Sequence, residues 1–325
     1  MTESRTNKLK RVIVFGATGA QGGPVVAELL RQGVAVRAFT RNAAAARKVL
    51  NENVEIFEGN LNDAESLVKA LTGVDCAFLH QPMVLMADVA FSVKNFLEAA
   101  KAAGLPRIVY TTSGPGLELL KGVPSVDRGR LDAETFLQSS IPTVVLKPTI
   151  YLENLLIPFF IQAIKENGVL DYPPVSADRK ISWTSLEDQA KIAVAAMTNE
   201  QAVGKVFDIA TPEPLNGDEL AERLTVCLGR TVKFAAQSPK ALAAKFSSMV
   251  DSTEIGDAIC ALYEGINTLP ADGFVVDTAS IEKTFDISLS STSVWILRQN
   301  WDAATTVSHS KTGSSEKSEF SRVTR

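Results

Sequence analysis

Between residues 11 and 150, short β-branched runs alternate with stretches whose apolar residues recur every three or four positions. RVIVF (11–15) reads as a buried strand, and VAVRAF (34–39), VEIF (54–57), CAFL (76–79), RIVYTT (107–112) and TVVL (143–146) follow as further strands. PVVAELLRQG (24–33) sets Val26, Leu29 and Leu30 on one helical face, and 64–71, 88–103 and 128–139 share its period. Strand and helix alternate through short loops, which predicts parallel strands, right-handed crossovers and a doubly wound α/β sheet.

After 150 the pattern loosens. LLIPFFIQAIKENG (155–168) reads as one apolar helix whose Phe159, Phe160 and Ile164 serve a pocket wall or plain core. SLEDQAKIAVAAM (185–197) reads as a Ser-capped helix, KVFDIA (205–210) as a strand and NGDELAERLTVCLG (216–229) as an Asn-capped helix. Residues 239–300 read as helical, with Met249, Ile255, Ile259 and Leu262 available to cover a substrate mouth. The Ser/Thr-rich stretch 303–325 cannot bury enough apolar surface to order itself and is expected to be a flexible tail.

Composition narrows the class. The chain of 325 residues is 46% hydrophobic and 22% charged, ordinary values for a globular protein. With 33 Lys and Arg against 37 Asp and Glu, it has no electrostatic footprint for nucleic acid or an anionic membrane. Cys76, Cys227 and Cys260 lie far apart in apolar segments, without metal spacing or a disulfide framework. No signal-peptide core or spanning apolar stretch is evident. These features lead us to expect a soluble, cytoplasmic protein without a metal.

The first strand–helix junction carries the main chemical signal. Gly16-Ala17-Thr18-Gly19-Ala20-Gln21-Gly22 spells GxxGxxG between strand and helix. Glycines there allow a tight turn and close backbone approach to a pyrophosphate, while the helix start offers N–H groups to phosphate oxygens. No GK[ST] follows, so a dinucleotide is favoured over a nucleoside triphosphate. The second strand ends in Phe39-Thr40-Arg41-Asn42, without the acid that holds a ribose 2′-hydroxyl in NAD sites. Arg41 stands 19 positions after Gly22, where a guanidinium suits a 2′-phosphate, with Thr40 and Asn42 as supporting donors. NADP(H) is the expected cofactor.

These motifs resemble the NmrA-like family of atypical short-chain dehydrogenases. The family's GATGxxG corresponds to 16–22, its TR to Thr40-Arg41 and its GDLxD to Gly59-Asn60-Leu61-Asn62-Asp63. RPxxFxENL is matched by Lys147 to Leu155, isfisveDia by ISWTSLEDQAKIA (181–193) and a later helix pattern by 219–234. The resemblance spans roughly 11–235. It implies an arm over 1–10, a Rossmann-type NADP(H) domain over 11–150 and a smaller α+β substrate lobe over 151–302, with some segments returning to the Rossmann sheet. Asn60 and Leu61 would flank the adenine, and His80, Gln81 and Pro82 would line the ribose and nicotinamide stretch.

The departures bear on chemistry. Related dehydrogenases use a Tyr-x-x-x-Lys pair on the helix after the fifth strand; here Val126 and Arg130 hold those positions. Arg130 can bridge to a ribose hydroxyl but cannot release a proton near neutral pH. His80, Ser113 and Tyr151 are the remaining catalytic candidates, with Tyr151 also suited to an aromatic wall over the cofactor and Lys147 a weaker candidate on strand six. One expectation is an NADPH-dependent reductase of a small lipophilic carbonyl or conjugated enone. The alternatives are a non-catalytic NADP(H)-binding redox sensor acting through a protein partner, and an isomerase or cyclase retaining the cofactor fold. A homodimer is also left open.

Overall fold

The computed structural model describes residues 9–80, 93–112, 114, 120 and 124–301. Gln81, Pro82, Ser113 and the expected tail lie outside the described residues. In the first half, β1 (Arg11–Phe15), β2 (Ala35–Thr40), β3 (Glu55–Glu58), β4 (Cys76–His80), β5 (Ile108–Thr111) and β6 (Thr143–Pro148) alternate with α1 (Gly22–Arg31), α2 (Ala43–Arg47), α3 (Ala64–Leu71), α4 (Val93–Ala102) and α5 (Pro124–Leu137). Short strands β7 (Val169–Leu170) and β8 (Ile181–Ser182) then precede β9 (Val206–Ile209), β10 (Pro214–Leu215) and β11 (Lys233–Phe234).

Seven strands form one parallel sheet in the order β3-β2-β1-β4-β5-β6-β9. The order reverses between β1 and β4, which opens a crevice beyond their carboxyl ends, where ligands of open α/β sheets bind. Both faces are buried. Ile13 and Phe15 turn to a layer with Phe39, Leu67, Phe96 and Phe136. Val12 and Val14 turn to the other, with Val25, Leu29, Ala193 and Phe285. Alternate residues of β1 thus serve opposite cores, which is why it is apolar from Val12 to Phe15.

The second half contributes α6 (Pro158–Gln162), α7 (Leu186–Ala196), α8 (Gly217–Leu228), α9 (Pro239–Val250), α10 (Thr253–Thr268), α11 (Thr278–Phe285) and α12 (Thr292–Arg298). β9 extends the sheet beside β6, and α7 packs on α1. A separate core collects Leu155, Phe160, Ile164, Tyr172, Trp183, Ile259 and Trp295. Phe159, Met249, Ile255 and Leu262 pack partly buried against that core.

The single helix expected over 155–168 is interrupted. A 3-10 turn over Leu152–Leu156 is followed by α6 and a π turn over Ala163–Asn167. Pro158 has no N–H and disfavours helical backbone at Ile157, which is extended at φ −59°, ψ 135°. Helix α2 was not expected from the apolar period; Asn42 starts it by accepting the Ala45 N–H.

Candidate dinucleotide site

β1 delivers the chain directly into the glycine turn. Gly16 has φ 68°, the left-handed region that glycine adopts without penalty, and its carbonyl accepts the Gly19 N–H at 2.9 Å. A Cβ on Gly22 would run into the Gly16 carbonyl, so the first turn of α1 can close on β1 only without a side chain. Gly16 and Thr18 stay exposed on the open side of the turn. Backbone approach to a diphosphate is therefore available here, and the cradle fits that group. Among the described residues, no group of His, Cys, Asp and Glu is placed to hold a metal ion.

His80 closes one wall. β4 ends at this residue, and its Nε2 overhangs Gly16 so closely that a Cβ there would strike the ring. The imidazole also lies 6.4 Å from the Phe78 ring, centroid to centroid. At the β3 end, exposed Asn60 accepts the Asn62 N–H at 3.0 Å, while Leu61 packs partly buried against the layer holding Phe39 and Phe57.

Thr40 and Arg41 sit at the end of β2. The Thr40 hydroxyl accepts the Asn42 N–H at 3.2 Å. Arg41 is exposed and makes no ion pair among the described residues. Sequence reasoning along β2 missed Glu58, which enters this loop from β3 and accepts the Ala43 N–H at 2.9 Å.

Tyr151 is placed differently from a free proton donor. Its hydroxyl donates to Gln189 Oε1 at 2.5 Å, and Gln189 Nε2 donates to Gln21 Oε1 at 3.4 Å. Burial, reinforced by the Glu153 charge, pushes the Tyr151 hydroxyl well above the usual phenol range. The residue is thus tied to the glycine turn through Gln189, a fully buried side chain of α7 that sequence reasoning also missed. Its signal was an amide on the buried face of a predicted helix.

Arg130, the expected ribose anchor, lies on α5 beside two acids of the same helix. Its side chain is 43% exposed, and its guanidinium bonds Glu134 at 3.0 Å, with Asp127 at 3.7 Å. The inward face of α5 carries Val126, Gly129 and Phe136 instead, Gly129 lying against Thr112. Lys147, the weaker candidate, pairs with Asp208 on β9 at 3.3 Å.

The comparisons agree with this architecture. The NAD(P)H azoreductase of Xenophilus azovorans is 30% identical over 255 residues, covering 78% of this chain and 86% of that protein. The structure of the NADPH-dependent quinone oxidoreductase of Escherichia coli with NADPH superposes at a TM-score of 0.72, at 24% identity, covering 88% of this chain and 98% of that one. NmrA, a negative transcriptional regulator in complex with NAD, gives 0.71 at 19% identity, covering 89% and 94%. The family model described as the NmrA-like family matches residues 8–287, and the chain belongs to that family.

Proposed function

We propose that the chain is an NADPH-dependent reductase of a small lipophilic acceptor, such as a carbonyl compound or a conjugated enone. The observation that carries this reading is the open glycine turn at the sheet's switch point, with His80 over its first glycine. The backbone of 16–22 would hold the diphosphate, Arg41 the 2′-phosphate, and Asn60 with Leu61 the adenine. When bound, NADPH supplies the hydride. The substrate atom that gains negative charge then needs a proton, which His80 gives from its imidazole. The relatives named NAD(P)H azoreductase and quinone oxidoreductase support the reaction class.

His80→Ala should lower the rate of hydride transfer by about 10²–10⁴-fold, the usual contribution of a positioned acid. Single-turnover loss of 340 nm absorbance with quinones, azo dyes, aryl ketones and enones measures it, alongside the dissociation constant for NADPH. A variant that loses NADPH affinity in proportion to its rate would show that His80 only frames the cofactor. Arg130→Ala should leave NADPH affinity within about twofold, because its ion pairs are those of an exposed helix face. A larger loss in the same titration would restore the anchor role.

A second reading, an NADP(H)-binding regulator, is favoured by Val126 and Arg130 at the positions of the Tyr-Lys pair. Val126 is buried in the second core and Arg130 is engaged at the surface. Tight NADPH binding by the wild type without oxidation by any acceptor in the panel would put this reading first.

A further inference from the structure

The loop after β2 contains no acid in sequence, yet it has one in space. Thr40 and Glu58 are register partners across β2 and β3, and the Gly59 N–H donates to the Thr40 carbonyl at 2.9 Å. The two strand ends are thereby closed against each other. Glu58 Oε2 accepts the Ala43 N–H, so its carboxylate stands in the loop that carries Arg41.

Two backbone donors of this loop are already engaged. The Asn42 N–H goes to the Thr40 hydroxyl and the Ala45 N–H to Asn42 Oδ1 at 2.9 Å. Arg41 keeps its guanidinium donors, since it pairs with no described residue, Glu58 included. A 2′-phosphate entering here meets one cation but also one anion. A 2′-hydroxyl meets a carboxylate acceptor, the partner that acids beside the second strand supply in NAD sites. The two side chains favour opposite cofactors, and neither neutralises the other.

We infer that Glu58 is a specificity-determining residue: it supplies from the third strand the acid that the second strand lacks. The chain therefore binds NAD(H) and NADP(H) with comparable strength. This rests on the dinucleotide reading above and adds NAD(H) to it. Glu58 acts on the ribose end of the cofactor and takes no part in proton transfer.

The test is titration calorimetry of the full chain with NAD⁺ and NADP⁺. The wild type should bind the two within about threefold, because the exposed Arg41 and Glu58 charges oppose each other in aqueous surroundings. Glu58→Gln keeps an amide oxygen for the Ala43 N–H, so the loop retains its shape while losing the charge. It should shift the affinity ratio toward NADP⁺ by about tenfold, the scale of one unscreened charge contact. Arg41→Ala should shift the ratio the other way. A wild-type preference of tenfold or more, or a Glu58→Gln ratio equal to that of the wild type, overturns the inference. A wild type that binds neither dinucleotide overturns the cofactor reading itself, a result distinct from an unchanged ratio.

Discussion

Asp188→Ala should lower the free energy of unfolding by about 2–4 kcal/mol, the range for leaving two enclosed donors without an acceptor. The Asp188 side chain is fully buried in the first turn of α7. It accepts from the Thr211 hydroxyl at 2.8 Å, the Ser290 N–H at 3.1 Å and Lys191 Nζ at 3.2 Å. These donors come from the loop after β9, the segment before α12 and α7 itself. Removing the carboxylate strands Thr211 and Ser290 as unsatisfied donors, whereas Lys191 retains Glu187 at 3.1 Å. Asp188→Asn keeps one acceptor oxygen and should cost about 1–2 kcal/mol, as for a weakened hydrogen bond to a charged group. Urea unfolding would show the midpoint fall at an unchanged slope, since the exposed surface is the same. An Ala variant within about 1 kcal/mol of the wild type would mean the network is hydrated rather than closed. Because α7 also carries Gln189, the same loosening reaches the Tyr151 hydroxyl and the glycine turn.

The Rossmann half was legible because its signals are local. Central strands buried on both faces are almost continuously apolar, and β1 through β6 fall within two residues of their expected limits. Segment 155–168 misled for an equally local reason: its apolar period is helical, but Pro158 parts a 3-10 turn from α6, which then runs directly into a π turn. The core of the second half was less legible. It draws on residues as distant in sequence as Leu155, Leu220, Tyr263 and Trp295, and no local period encodes that association.

The site divides along the same line. The glycine turn is contiguous, so spacing alone located Gly16, Gly19 and Gly22. Glu58 escaped because the expected acid was sought along β2, whereas strand register brings it beside Thr40. Gln189 escaped because only the fold sets its amide between Tyr151 and Gln21. The family register puts Arg130 at the lysine position, one residue and about 100° of helix rotation from Gly129, with its side chain half exposed. Gly129, its neighbour, holds the inward place against Thr112.

Glu153→Gln should stabilise the protein at pH 8 by on the order of 2–3 kcal/mol and change little at pH 5, by linkage of protonation to folding. Burial is the leading cause that pushes the Glu153 carboxyl up from 4.5 to about 7. Hydrogen bonds from Trp295 Nε1 at 2.9 Å and the Leu186 N–H at 3.1 Å pull it back only in part. Both donate to Oε1, and Oε2 is buried without a partner among the described residues. The folded pKa stands above the unfolded one, so the folded state holds more protons between them. Stability is therefore full below pH 4.5 and declines as the pH rises through about 7, where the folded chain carries an enclosed carboxylate. Glutamine mimics the protonated acid: its Oε1 still accepts from Trp295 and Leu186, and its Nε2 replaces the acid hydroxyl. Urea midpoints for wild type and variant at pH 5 and pH 8 decide the matter. The wild type should weaken between the two and the variant should weaken less. Parallel curves separated by the same amount at both pH values would show that Glu153 does not change protonation in this range, leaving a packing effect alone.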